Sequence, residues 1–158
     1  MELNDWLLAL HLLSAFSLVA AMIVFWVGVV VIRRTDLPEQ VVAAGRLFPV
    51  AGVAVTVGAL GTIIFGVWLA ISLDGVAVWS GWVIAAIILW AIAVELGRRG
   101  GQGYGAAGME AQRLAQAGTE TSPVVAETFR ASRAFQFHTV SSVLILLLLI
   151  DMIWKPGA

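Results

Sequence analysis

The chain has 158 residues and a formal net charge of −1, with 61% hydrophobic and only 12% charged residues. An ordinary soluble domain carries about twice that charged fraction, so the composition indicates a membrane protein. The near-neutral charge gives no basis for nucleic-acid binding, and the lack of cysteine excludes disulfides, thiolate metal sites and cysteine catalysis.

Four long apolar segments follow one another, and each can cross a bilayer as a helix. We predict an all-α, polytopic membrane protein, with four transmembrane helices packed as a bundle in one domain over residues 1–158. The predicted helices cover approximately residues 6–32, 38–72, 76–97 and 123–154. The acidic N-terminus, Met1 to Asp5, lacks the features of a secretory signal, so we expect the first helix to be retained.

The connections between the helices also carry signals. Pro38 suits the first turn of a helix, and Ser122 suits the N-cap before Pro123. Residues 98–122 are predicted to form a cytoplasmic loop. Its glycine-rich start, residues 100–105, is interpreted as a flexible connector, because it lacks the lysine of a phosphate-binding loop and follows no strand.

Basic residues predict the orientation. Eight arginines fall on one side of the predicted bundle, and only Lys155 falls on the other. The positive-inside rule then places the N-terminus and the C-terminus outside a bacterial cytoplasmic membrane. Five tryptophans near the outer helix ends are typical of an interfacial belt: Trp6, Trp68, Trp79, Trp82 and Trp154.

A weak internal repeat relates the two halves of the chain. Residues 44–48 (AGRLF) resemble residues 131–135 (ASRAF), and an arginine pair closes both the first and the third predicted helix. This pattern favours two repeated hairpins of the same orientation. Chance similarity between apolar segments gives the same pattern, and both explanations stay open.

Ionisable side chains inside a membrane are costly, so each needs a physical reason. His11 lies near the outer end of the first helix and His138 near the cytoplasmic end of the fourth, so their depths differ by about 12–20 Å. One haem shared by both histidines is therefore not expected. Asp151 and Met152 are level with His11. Three interpretations of His11 stay open. It forms a polar pair with Asp151, it holds a haem together with Met152, or it faces solvent.

A second set of polar residues lies at the cytoplasmic end. It forms a predicted inner polar cluster of Arg46, Glu95, Arg133, Gln136 and His138. Ion pairing at the membrane interface is the usual role of such groups, and proton transfer by Glu95 and His138 is the alternative. We assign no catalytic residue and no metal site, because no acid, base and nucleophile come together in the predicted bundle.

Several short features carry a family resemblance. They are Leu10-His11-Leu12-Leu13, Gly66-Val67-Trp68, Trp79-Ser80-Gly81-Trp82, His138 and Lys155-Pro156-Gly157. With these features the chain resembles small bacterial four-helix integral membrane proteins, which are distantly similar to the CopD copper-resistance family and to HemJ-type protoporphyrinogen oxidases. The resemblance implies a haem ligand at His11. HemJ-type enzymes also have a functional lysine on helix three, and this sequence has none between residues 76 and 96.

Two functional hypotheses follow. The first is a non-enzymatic integral membrane protein of structural or accessory type, acting as a subunit of a larger membrane complex or as a homo-oligomer in the lipid bilayer. The second is a haem-binding or electron-transfer protein of the CopD/HemJ type that uses His11, with haem b as cofactor. We favour the first, because no complete ligand set lies at one depth.

Overall fold

The computed structural model of the protein describes residues 2–73, 78–121 and 133–155. These residues form five helices: α1 (Leu3–Ile32), α2 (Pro38–Gly45), α3 (Phe48–Ser72), α4 (Gly81–Gln116) and α5 (Arg133–Trp154). No strand occurs in these three ranges. The predicted all-α class is confirmed.

Four stretches are long and apolar enough to cross a membrane: α1, α2 together with α3, α4, and α5. The chain is a multi-pass membrane protein with the predicted four-helix architecture. The predicted second helix is divided at Arg46-Leu47 into α2 and α3. Pro49 explains the break, because it has no N–H to donate to the Gly45 carbonyl and its ring opposes a continuous helix.

The first residues of α1 and α2 are fixed by local hydrogen bonds. The Glu2 N–H donates to the Asp5 carboxylate at 2.9 Å, which forms a capping box at the start of α1. Before α2, the Thr35 hydroxyl accepts a hydrogen bond from the Leu37 N–H at 3.1 Å. Pro38 then occupies the first turn of α2, as predicted.

The largest departure from the predicted boundaries is in α4. The prediction ended this helix at residue 97, but it continues to Gln116 through the segment interpreted as a flexible loop. The glycines of that segment allow a close helix crossing instead. A Cβ at Gly103 would lie 2.7 Å from the Ala134 Cβ, and one at Gly100 would lie 3.2 Å from the Ala134 carbonyl oxygen.

The predicted starts of the third and fourth helices remain to be compared with the structure. The third predicted helix was placed from residue 76, whereas α4 begins at Gly81 after Ser80. The fourth was placed from residue 123. Residues 122–132 lie outside the described ranges, so the predicted start at Ser122-Pro123 stays a prediction.

The helices pack as two hairpins. The first hairpin is α1 along α3, and the second is α4 along α5. Glycine allows the close approach within the first hairpin, because a Cβ at Gly58 would lie 2.7 Å from the Leu18 backbone nitrogen and 2.8 Å from the Ser14 carbonyl oxygen. Small residues serve the same purpose in many membrane helices, where dispersion contacts replace the hydrophobic effect.

Two indole hydrogen bonds join the hairpins reciprocally. Trp26 of α1 donates to the Ser142 hydroxyl of α5 at 2.9 Å. Trp90 of α4 donates to the Ala59 carbonyl oxygen of α3 at 3.1 Å. Each tryptophan lies about two turns before the arginine pair of its own helix. This arrangement agrees with the predicted two-hairpin organisation, while duplication of the sequence stays a prediction.

A compact core closes one end of the bundle. We call this the arginine end, because Arg33, Arg98 and Arg133 lie there. The core brings together residues of α1, α2, α4 and α5: Val29, Ile32, Val41, Tyr104, Ala107, Ala111 and Ala134. Between this core and the opposite end, the contacts between the two hairpins are sparse.

Apolar side chains cover the outside of the bundle. Phe16, Val50 and Ile153 are each about 70% exposed, an arrangement suited to lipid rather than water. Trp79 and Trp154 of the predicted aromatic belt are exposed, whereas Trp82 is buried. Trp82 therefore packs inside the bundle, and the Lys155 ammonium lies 5.5 Å from the centre of its ring.

Candidate binding cavity

A cavity of about 410 Å³ lies between the two hairpins. All four spanning helices contribute to its wall, which is mainly apolar. Typical lining residues are Met22 of α1, Leu60 of α3, Trp90 of α4 and Ile145 of α5. This volume lies within the range of small-molecule sites in proteins. The space exists because each hairpin is packed closely within itself but only sparsely against the other.

Three hydroxyl groups in the cavity wall are used in hydrogen bonds to the backbone. Ser141 donates to the Ala93 carbonyl oxygen at 2.8 Å and so links α5 to α4. Thr56 donates to the Gly52 carbonyl oxygen at 2.9 Å, and Ser142 donates to the carbonyl oxygen of His138 at 2.8 Å. These bonds stabilise the helices and leave the hydroxyl protons engaged.

The cavity-lining residue His138 differs from these three residues. Its Nε2 is buried, and neither ring nitrogen forms a hydrogen bond with any described residue. Aromatic rings surround the imidazole, with centroid distances of 4.9 Å to Trp26, 6.1 Å to Tyr104 and 6.2 Å to Phe25. A buried nitrogen without a partner costs free energy, so this atom needs an explanation.

His11 lies in a different environment, inside the first hairpin. Its Nδ1 donates to the Thr62 carbonyl oxygen at 3.0 Å. A carbonyl oxygen only accepts, so Nδ1 carries the proton of the neutral ring and Nε2 is the acceptor. Gly66 leaves space for the ring, because a Cβ there would lie 2.8 Å from His11 Cε1.

The structure does not form the predicted hydrogen bond between His11 and Asp151. The His11 ring bonds to α3, because α1 packs along α3 rather than along α5 at this depth. Asp151 is 8% exposed, and its Oδ2 has no hydrogen-bond partner among the residues that the structure describes. Equal depth along two helices was therefore not sufficient to bring these side chains together.

The predicted ligand pair of His11 and Met152 does not fit a haem. Met152 lies on α5 in the second hairpin, whereas the His11 ring packs against Gly66 in the first. Neither residue lines the cavity between the hairpins. Within the described ranges, no group of three or more His, Asp or Glu side chains could hold a metal ion.

The predicted inner polar cluster is not assembled either. Glu95 pairs with Arg98 at 2.8 Å and with Arg99 at 2.7 Å, because both arginines lie one turn along the same helix. The other three charged or amide side chains are exposed: Arg46, Arg133 and Gln136. No hydrogen bond or ion pair between described residues joins any two of the five predicted members. His138 instead faces the cavity.

The surroundings of His138 were not predicted from the sequence. Phe25 and Trp26 were read as parts of an apolar run, and Tyr104 as part of a loop. A signal was present, since Trp26 and Trp90 occupy nearly equivalent positions before the two arginine pairs. An indole N–H so deep in a membrane helix needs an acceptor on another helix.

No family model, no curated protein and no solved structure matches the chain.

Proposed function

We propose that the chain is an integral membrane protein of accessory type that holds a lipophilic molecule between its two hairpins. The cavity is the observation that supports this function. It is apolar, it lies between membrane-spanning helices, and its serine and threonine hydroxyl groups are engaged in helix packing. With its serine and threonine hydroxyl groups engaged, such a wall supports binding of an apolar molecule rather than nucleophilic catalysis.

The membrane in this proposal is the bacterial cytoplasmic membrane, with both termini outside. The distribution of the eight arginines supports this orientation through the positive-inside rule. The length of α4 is consistent with it. Its 36 residues rise about 54 Å at 1.5 Å per residue, against a hydrocarbon core of about 30 Å. The arginine end therefore extends into an aqueous compartment, which we propose is the cytoplasm.

We further propose that the protein works as a subunit of a larger membrane complex or as a homo-oligomer, since an accessory protein acts through a partner. Native electrophoresis of mildly solubilised native membranes tests whether the protein is part of such an assembly. Migration as an assembly above the mass of one 16.8 kDa chain is expected. Migration of all the protein as a monomer would contradict it.

Filling the cavity tests the proposed function. Gly52 lines the cavity, and a Cβ at this position meets no atom within 4 Å, so Gly52→Leu places a side chain in the open space. Gly108→Leu is the matched control, because position 108 is equally open but lies outside the cavity. We expect saturable binding of diphenylhexatriene, a fluorescent hydrocarbon, to the wild type and to Gly108→Leu. Binding should be lost in Gly52→Leu, and equal binding by all three proteins would contradict the proposal.

Haem binding or electron transfer through His11, of the CopD/HemJ type, is the second candidate. One observation favours it: the hydrogen bond from Nδ1 to Thr62 leaves Nε2 as the free, electron-pair-donating nitrogen. A bound haem would supply one-electron chemistry. An absorption spectrum tests this candidate. A Soret band that disappears in His11→Leu supports it, and a colourless folded protein from haem-sufficient cells contradicts it.

A further inference from the structure

We propose that the cavity binds a quinone-type molecule, a planar lipophilic ring bearing carbonyl or hydroxyl groups, and that His138 forms the hydrogen bond that recognises its polar group. This inference rests on the proposed function and names the ligand class and the recognising residue. Three features of the cavity support it: the aromatic rings around His138, the unpaired imidazole, and the apolar remainder of the wall.

The aromatic rings favour a planar ligand. Phe25, Tyr104 and His138 all line the cavity, and the Trp26 ring lies behind His138 at 4.9 Å. Phe25 is itself supported by Phe48, which stacks on it at 5.1 Å. Aromatic surfaces pack well against other flat rings in offset or edge-to-face geometry. A flat ring that enters this part of the cavity therefore meets aromatic walls that are already in place.

The imidazole of His138 favours a ligand with a polar group. A neutral imidazole has one N–H donor and one acceptor nitrogen, and neither is used by the described residues. Nε2 is buried, so Nδ1 is the nitrogen that a ligand can reach, and it can donate to a ligand carbonyl or accept from a ligand hydroxyl according to the tautomer. A pure hydrocarbon would leave the imidazole unpaired, so it should bind more weakly than a ligand with a polar group.

The rest of the cavity suits a hydrophobic substituent on the ring. Leu18, Leu60 and Leu148 line it together with Ile145, and Arg98 is the one charged residue that contributes to the wall among those the structure describes. Arg98 is already paired with Glu95. The cavity is partly open, and α3 and α4 contact each other only sparsely, so we propose that it opens to the lipid between the hairpins. A molecule dissolved in the bilayer can then enter without crossing water.

Tryptophan fluorescence gives a direct test with decylubiquinone as the probe. Quinones quench indole emission, and Trp90 lines the cavity while Trp26 contacts His138. We expect saturable quenching in lipid nanodiscs. The affinity should fall about ten-fold in His138→Leu, the loss expected for one hydrogen bond. His11→Leu is the matched control, because it removes the other histidine from a site outside the cavity, and its affinity should match the wild type.

Two further measurements separate the possible failures. Gly52→Leu must abolish quinone quenching, and this variant tests the site even if His138→Leu does not fold. If diphenylhexatriene binds but decylubiquinone does not, or if folded His138→Leu keeps full quinone affinity, this inference is overturned while the proposed function stands. Equal competition by palmitate would also overturn it. If neither probe binds to the wild type, the proposed function fails as well.

Discussion

The two histidines of this protein lie in opposite kinds of environment. His11 is held inside the first hairpin, where its Nδ1 bonds to the Thr62 carbonyl oxygen and its ring lies against Gly66. His138 lies between the hairpins, where both ring nitrogens lack a partner among the described residues and the neighbours are aromatic. His138 contacts Phe25, which lies about four turns, or about 21 Å, from His11 along α1.

The interior of the first hairpin and the space between the hairpins therefore differ in how they treat polar groups. Within the first hairpin, glycines bring the backbones together, and the His11 ring has a hydrogen-bond partner on the facing helix. Between the hairpins, large side chains keep a cavity open and leave one imidazole unsatisfied. Because a satisfied group stabilises and an unsatisfied one can bind, we assign a structural role to His11 and a binding role to His138.

The largest expected effect comes from two glycines on the same helix. Gly58→Leu should lower the free energy of unfolding by about 3 kcal/mol, because its side chain meets the backbone of α1 at Leu18 and Ser14. Gly52→Leu should leave that free energy unchanged or raise it by up to about 1 kcal/mol, because its side chain enters open space and leucine favours a helix. Denaturation by SDS in mixed micelles measures both. Equal destabilisation by the two variants would remove the distinction between hairpin interior and cavity.

The next prediction compares the stabilities of variants at the two histidines. His11→Leu should lower the free energy of unfolding by about 1 kcal/mol, because it removes the hydrogen bond to Thr62. His138→Leu should remain within about 0.5 kcal/mol of the wild type, because the lost ring contacts are offset by removal of unpaired nitrogens. The same SDS titration applies, and the reverse order of stabilities would contradict the assigned roles.

An effect of about the same size is expected for the two bonds that join the hairpins. Trp26→Phe and Trp90→Phe each remove one indole N–H and keep most of the aromatic surface. Each should lower the free energy of unfolding by about 0.5–1.5 kcal/mol. A double-mutant cycle with Ser142→Ala checks the first bond. Additive losses for Trp26→Phe and Ser142→Ala would show that this hydrogen bond contributes nothing.

The smallest effect is expected outside both regions. Glu95→Gln weakens the ion pairs with Arg98 and Arg99 at the exposed surface of α4. Such exposed pairs contribute about 0–1 kcal/mol, so the stability should change little. Quinone quenching should also be unchanged in this variant. A loss of binding in Glu95→Gln would indicate that Glu95 acts through Arg98, which does line the cavity.

The fold was largely predictable from the sequence, because four apolar segments of sufficient length leave few architectures open. The error in α4 has a specific cause. Gly100 and Gly103 are signals of a loop in a soluble protein, but they face Ala134 at a close helix crossing in this one. Local sequence does not distinguish these two uses of glycine, since the partner helix is distant in the chain.

The site was less predictable than the fold. Depth along each helix correctly separated His11 from His138, but it gave no information on which helices are neighbours. Asp151 was therefore paired with His11, although His11 bonds to α3. Glu95 was likewise assigned to a cluster between helices, although two arginines of its own helix lie closer. Lateral packing within the bundle decides both questions, and it depends on contacts between remote segments.

The central claim is that His138 binds a ligand and His11 does not. The chain has only two histidines, so protein labelled with nitrogen isotopes at the histidine rings gives signals from two imidazoles, and His11→Leu assigns them. The direct test is a nitrogen NMR titration with decylubiquinone in nanodiscs. We predict that the His138 ring nitrogens shift as the quinone saturates, while those of His11 stay fixed with Nδ1 protonated. A shift confined to His11, or no shift at either ring, would contradict the claim.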